Sequence, residues 1–227
     1  MLVINRLRRT IFMDLLVAAK DQLAMEYLRP LHDLYIPWSE SAIRPSGMVK
    51  ILNEILIYKR RCIVECGGGV STIFIAKMLK MKGGHLYTIE NDKEWSIILK
   101  QQIDELGLTE YVTLINAPLA KSDLSIGDLL WYDQEIIRNQ IDNLDIDFLI
   151  VDGPLAYLKE IQYSRYPAVP FFRSYFAKDY SIALDDINRF GEREIIKKWK
   201  TLTGIQFDRF FIDGGIAIGR TNKTFTT

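Results

Sequence analysis

Three consecutive glycines, Gly67, Gly68 and Gly69, stand between an apolar run at 61–66 and a run with helical spacing at 71–80. A strand that ends on a glycine turn and passes directly into a helix is half of a parallel β-α-β unit. The rest of the chain continues the alternation. Strand-like runs fall at 85–90, 112–116, 147–152 and 181–185, and the helical run after the second carries Trp95, Ile98, Leu99, Ile103 and Leu106 on one face. Strands separated by helices predict a parallel sheet with right-handed crossovers. The C-terminus breaks that rule. Residues 205–212 and 216–220 read as strands joined by a turn at Asp213-Gly214-Gly215, which is a hairpin and therefore antiparallel. The expected fold is α/β, a Rossmann-like three-layer sandwich with a mostly parallel seven-stranded sheet and an antiparallel C-terminal hairpin.

Ahead of this pattern, residues 6–28 read as helix, 32–45 as a loop broken by Pro37 and Pro45, and 46–58 as helix. The division that follows is a helical extension or cap over 1–45 and a single α/β domain over 46–227. Arg6, Arg8 and Arg9 precede an apolar stretch that Asp14 interrupts, too short to span a bilayer. Such a helix suits packing on the domain or peripheral contact with a membrane surface. The 227 residues are 48% hydrophobic with zero formal net charge, so one large core is expected and no global field recruits nucleic acid. Cys62 and Cys66 share one strand, their Cα atoms roughly 13 Å apart, too far for a disulfide. Reduced thiols place the chain in the cytoplasm.

The glycine turn is the first site of chemistry. Glycine lets a ligand approach the backbone, and the next helix offers free N–H groups. A dinucleotide fingerprint would carry a third, spaced glycine where Thr72 stands, which weakens an NAD-dependent oxidoreductase reading. S-adenosylmethionine (SAM) has no phosphate. Glu65 and the turn can serve its amino acid end. Glu90 closes the second strand, where an acid accepts hydrogen bonds from a ribose diol, and Asn116 and Ala117 close the third, beside the adenine position. Asp152 ends the fourth strand, and Asp185 and Asp186 end the fifth. Carboxylates gathered at converging strand ends call for a cation, a base role or a donor network, with N-capping as the plain alternative.

In this order, Glu65-x-Gly67-x-Gly69-x-Ser71, Glu90, Val151-Asp152-Gly153-Pro154, Asp185-Asp186 and the terminal hairpin, the sequence resembles the class I SAM-dependent methyltransferases from about residue 45 onward. It is most similar to a bacterial branch with Asp152-Gly153-Pro154, Arg165-Tyr166-Pro167-Ala168, Asp185-Asp186-x-x-Arg189-x-x-Glu192 and Trp199 in series; Trp131-Tyr132-Asp133 also resembles it. The resemblance implies that Glu65, Gly67, Gly69 and Ser71 hold the methionine part, Glu90 the ribose, and Asn116 and Ala117 the adenine. Asp152, Asp185 and Asp186 resemble the metal set of catechol-type O-methyltransferases, which implies a divalent cation such as Mg²⁺, although Asp186 stands where that pattern has Asn. The expected activity is O-methylation of a small-molecule or glycan acceptor, with Asp152, Asp185 and Asp186 catalytic. A non-catalytic SAM-binding or scaffold protein is the alternative.

Overall fold

The computed structural model describes residues 2–32 and 35–225, with side chains from residue 12 onward. The side chains of Arg6, Arg8 and Arg9 therefore lie outside the described residues. Helix α1 (Leu2–Leu28) leads through a 3₁₀ turn to α2 (Pro45–Ile57). Then follow β1 (Cys62–Cys66), α3 (Val70–Lys82), β2 (His85–Glu90), α4 (Lys93–Glu105), β3 (Val112–Asn116), β4 (Leu119–Lys121), β5 (Leu130–Tyr132) and α5 (Gln134–Ile141). The chain closes with β6 (Ile146–Val151), α6 (Ala168–Phe172), β7 (Phe176–Leu184), α7 (Phe190–Thr203), β8 (Phe207–Phe210) and β9 (Ile216–Arg220).

The main sheet has seven strands in the order β3-β2-β1-β6-β7-β9-β8. The first five are parallel, and β9 runs antiparallel to both β7 and β8. This is the expected architecture, hairpin included. The chain moves outward from β1 through β2 to β3, then returns to lay β6 on the other side of β1. Between β1 and β6 the connections diverge, and that switch point opens a crevice at the carboxyl ends of the strands.

Strand alternation sends successive residues to opposite faces. Ile63, Phe148 and Ile150 join α2, α3 and α4 in one buried layer. Val64, Cys66, Leu149 and Val151 join α5, α6 and α7 in the other. Local chemistry starts the helices. Asp92 Oδ1 accepts from the Trp95 amide (3.0 Å) to cap α4, and Asp133 Oδ1 accepts from the Glu135 amide (3.0 Å) to cap α5. Gly204, in the left-handed region at φ 76°, ends α7. Cys62 and Cys66 are both free, as their spacing requires.

Helix α1 packs against α2 through Ala24 and Leu28. Asp21 fixes the junction: its Oδ1 accepts from Ser46 Oγ (2.5 Å) and the Ser46 amide (3.2 Å), and its Oδ2 accepts from Arg44. Away from α2, Phe12, Leu15, Leu23 and Tyr27 remain exposed. Among the described residues no helix is long and apolar enough to cross a membrane.

Some details differ from the sequence expectation. Strand β7 begins at Phe176, five residues before the expected 181. Strand β8 is confined to Phe207–Phe210. The short antiparallel pair β4 and β5 is additional, joined in register from Leu119 opposite Tyr132 to Lys121 opposite Leu130.

Candidate active site

Five strand ends meet at the crevice, zipped by backbone hydrogen bonds. The Gly67 amide donates to Ile89 (2.9 Å), the Ala117 amide to Glu90 (2.9 Å), the Asp152 and Gly153 amides to Cys66 (2.9 and 2.7 Å), and the Asp185 amide to Val151 (3.0 Å). Gly67 has φ 92°, and a Cβ there would stand 2.7 Å from the Gly153 nitrogen. A Cβ on Gly153 would stand 2.3 Å from Tyr132 Oη and 2.8 Å from the Gly67 Cα. The glycine turn and the Asp152-Gly153-Pro154 turn therefore interlock, backbone against backbone. Gly69 is the opposite case. Nothing lies within 4 Å of where its Cβ would be, so its face of the turn is open at the α3 N-terminus.

The two glutamates assigned to this side brace the turn. Glu65 is fully buried and accepts from Ser71 Oγ (2.5 Å), Thr72 Oγ1 (2.6 Å) and Thr88 Oγ1 (2.9 Å). Burial pushes its carboxyl up to about 7, against the pull of the three hydroxyls. Glu90 accepts from the Gly68 amide (3.0 Å) through Oε2 and from the Asp92 amide (2.7 Å) through Oε1. Burial raises its pKa as well. Asn116 Nδ2 donates to the Glu90 carbonyl (3.2 Å) and Ser96 Oγ (3.1 Å), and Ala117 is buried beside it. Of the seven residues expected at the cofactor, Glu65, Gly67, Gly69, Glu90, Asn116 and Ala117 lie at the ends of β1, β2 and β3 or on the turns that follow them, and Ser71 lies in the first turn of α3.

Across the crevice, one carboxylate oxygen from each of Asp152, Asp185 and Asp186 lies within 4.8 Å of the others. Burial drives the Asp185 carboxyl well above the usual range, helped by its neighbours Asp152 and Asp186. Asp152 is raised to about 6, chiefly by burial, against the attraction of Arg165. Asp186 adopts φ 61°, in the left-handed region that Asp and Asn tolerate better than other side-chain-bearing residues. That backbone demand accounts for a position filled by Asn in one pattern and by Asp here.

Hard carboxylate oxygens suit a divalent ion, but this group already contains a cation. Arg165, 4% exposed, extends Nη1 to Asp186 Oδ2 (3.0 Å) and Nη2 to Asp152 Oδ1 (3.3 Å). Its Nε donates to the Pro154 carbonyl (3.1 Å), and Nη1 lies 3.7 Å from Glu192 Oε1. Arg189 adds a more exposed contact to Asp186 (2.7 Å). The Arg165 guanidinium already takes one oxygen of Asp152 and one of Asp186, so an ion at this group would have to share those carboxylates with it.

The family model described as "Methyltransferase domain" matches residues 64–187, which is 124 residues (187 − 64 + 1) and more than half of the 227. The chain belongs to the methyltransferase-domain family. No curated protein matches it. Among solved structures, the SAH-bound methyltransferase PaMTH1 from Podospora anserina is 10% identical, with 96% of each chain covered and a TM-score of 0.61. An O-methyltransferase from Bacillus cereus in complex with SAH is 16% identical, with 89% of this chain and 90% of that one covered and a TM-score of 0.54. The O-methyltransferase TomG from Streptomyces achromogenes, in complex with SAM, is 16% identical, with 90% and 88% covered and a TM-score of 0.52. At these identities the likeness is one of fold. With the family match, the activity class is SAM-dependent methyl transfer.

Two residues of this methyltransferase gain a place at the site that the sequence did not assign. Arg165 belongs to the recurring Arg-Tyr-Pro-Ala series, yet an arginine in an irregular segment reads as a surface residue. Tyr132, from β5, is 1% exposed, and its phenol has no hydrogen-bond partner among the described residues although it faces the interlocked glycines. The Trp131-Tyr132-Asp133 series was the only signal for it. Arg189 pairs with Asp186 from the more exposed side, while the buried cation among the acids is Arg165.

Proposed function

We propose that this methyltransferase transfers a methyl group from SAM to an oxygen of a small-molecule or glycan acceptor. The observation that carries the reading is the two-sided crevice at the switch point between β1 and β6. One side is an open glycine turn with an acid at the next strand end. The other is a buried acid group with Asp152 at its centre.

On the cofactor side, Gly67, Gly69 and Ser71 receive the methionine end, with Glu65 holding the turn in shape. Glu90 receives the ribose hydroxyls, and Asn116 and Ala117 border the adenine. SAM, when bound, supplies a methyl group on a sulfonium that is already activated for displacement. The protein's part is to orient the acceptor and take its proton. A hydroxyl is a poor nucleophile, so a base within reach is needed. Asp152, with its carboxyl raised to about 6, is matched to proton transfer near neutral pH. The O–CH₃ bond forms as the S–CH₃ bond breaks, the electron pair stays on sulfur, and the hydroxyl proton passes to Asp152. The free thiols Cys62 and Cys66 support a cytoplasmic setting.

Calorimetry tests the cofactor assignment. SAM and S-adenosylhomocysteine (SAH) are expected to bind and NAD to give no heat. Glu90→Ala removes charge-assisted hydrogen bonds worth roughly 1.5–3 kcal/mol each, a loss of at least about tenfold in SAH affinity. Equal affinity in the two proteins would remove Glu90 from the ribose.

A further inference from the structure

Arg165 is buried among carboxylates that come from three separate elements: Asp152 at the end of β6, Asp186 after β7 and Glu192 in the first turn of α7. All three of its nitrogens are engaged. Nε is fixed to the Pro154 carbonyl, Nη2 to Asp152, and Nη1 to Asp186, with the Asp185 carbonyl also at 3.5 Å. A planar guanidinium fork of this kind is preorganised for carboxylates and carries its charge at every accessible pH.

We propose that Arg165 is the resident cation of this acid group, standing where a divalent ion stands in catechol-type O-methyltransferases, so that methyl transfer by this chain needs no metal. This inference rests on the methyl-transfer reading above.

Three observations carry it. The guanidinium reaches Asp152 and Asp186 at 3.3 and 3.0 Å, so it competes with an ion for the same carboxylates. Mg²⁺ would ask for about six oxygens at roughly 2.0–2.1 Å in octahedral geometry, whereas here two of the same carboxylates already hold a buried guanidinium. Arg165 is also held from outside the acid group, by the Pro154 carbonyl on the very turn that follows Asp152. Expelling it would strand a buried charge, an outcome strongly disfavoured when one partner of a buried pair is lost. Finally, Asp185 Oδ1 and both Glu192 oxygens are buried without a hydrogen-bond donor among the described residues. An acid group with oxygens in excess can keep Arg165 and still direct acceptor atoms toward Asp185. Arg165 is then a positioning residue: it fixes the Asp152 carboxylate that takes the acceptor proton, through Nη2.

The test is a Mn²⁺ titration followed by electron paramagnetic resonance, on the full chain with SAH bound. The wild type is expected to show no stoichiometric site below about 1 mM Mn²⁺. Arg165→Met keeps the length and removes the charge, and it is expected to bind Mn²⁺ at least tenfold more tightly. Arg165→Lys keeps a positive charge and is expected to exclude Mn²⁺ like the wild type, a pattern that a merely structural arginine would not produce. One Mn²⁺ per wild-type chain, lost in D186N, overturns the proposal, and so does a folded R165M that takes up no Mn²⁺. If R165M does not fold, the wild-type titration decides. SAH calorimetry on the same samples separates the two levels. Failure to bind SAH removes the methyl-transfer reading, whereas SAH binding together with a wild-type Mn²⁺ site removes only the role of Arg165.

Discussion

The sheet carries a buried arginine–carboxylate group at each end, and the two are built differently. At the amino ends of the strands, Glu54 is fully buried and both its oxygens are taken, Oε1 by Ser181 Oγ and Oε2 by Arg220 Nε (2.8 Å). Arg220 continues to Asp208 (2.9 Å), and Arg60 to Ser181 Oγ (2.8 Å) and the Asp179 carbonyl (3.0 Å). Acids and bases balance there, Glu54, Asp179 and Asp208 against Arg60, Arg220 and Lys223. At the carboxyl ends, among the described residues, Asp152, Asp186 and Glu192 pair with Arg165 and Arg189, and three carboxylate oxygens of Asp185 and Glu192 have no donor. A balanced group with its acceptors filled holds elements together. A group with acceptors to spare has capacity left for a substrate, and it sits across the crevice from the open glycine turn.

The strongest way to break this contrast is at Glu54. Glu54→Ala strips two buried guanidinium groups of their shared partner and is expected to cost about 3–5 kcal/mol in urea unfolding. SAH affinity of the folded protein should stay within about twofold, because Glu54 is remote from the crevice. Unchanged stability would mean that the amino-end group is not what ties α2 to β7 and β9.

A pH series gives the next largest effect. The folded Glu65 carboxyl, at about 7, lies above its ordinary 4.5, so the native state holds this proton more tightly than the unfolded chain does. Its contribution to stability is full below about 4.5 and is lost as pH rises through about 7. The whole span is on the order of 3 kcal/mol, at about 1.4 kcal/mol per unit. Relative to Glu65→Gln, the wild type should therefore lose stability across this window in paired denaturant melts. Parallel curves for the two proteins would contradict the buried, protonatable glutamate.

The smallest effect on stability is expected at Asp152, with the largest on turnover. Asparagine there keeps an acceptor for Arg165 Nη2 and relieves repulsion with Asp186, so unfolding should shift by less than about 1 kcal/mol. It is a far poorer base, and transfer of label from SAM should fall by about 100-fold or more. Near-normal transfer would move the proton-accepting role to Asp185 or Asp186.

Much of this was readable from spacing. The glycine turn, the acids at three strand ends and the antiparallel hairpin are each local signals, written in contiguous residues with a fixed structural meaning. β4 and β5 were not legible, because three residues each are too few for alternation to register. The start of β7 was hidden for a different reason: Lys178 and Asp179 interrupt 176–180, which is half-exposed on a strand otherwise buried. Arg165 is the instructive omission. Its role depends on a chain segment folding back so that one side chain reaches three elements, and no periodicity encodes such a return. The brace made by Glu65 with Ser71, Thr72 and Thr88 is likewise a three-dimensional fact, although both partners on α3 lie within seven residues of it.

The Asp21 carboxylate described at the α1–α2 junction belongs to one helix and terminates another. The amide that it satisfies, Ser46 N–H, would ordinarily be served by a residue just before α2, and the adjacent Arg44 has no side chain suited to that task. Protection of this amide against deuterium exchange therefore reports whether α1 is docked. Its exchange rate should follow the opening of the α1–α2 contact, while Ile51 and Leu52 in the middle of α2 should exchange only when the whole sheet layer opens.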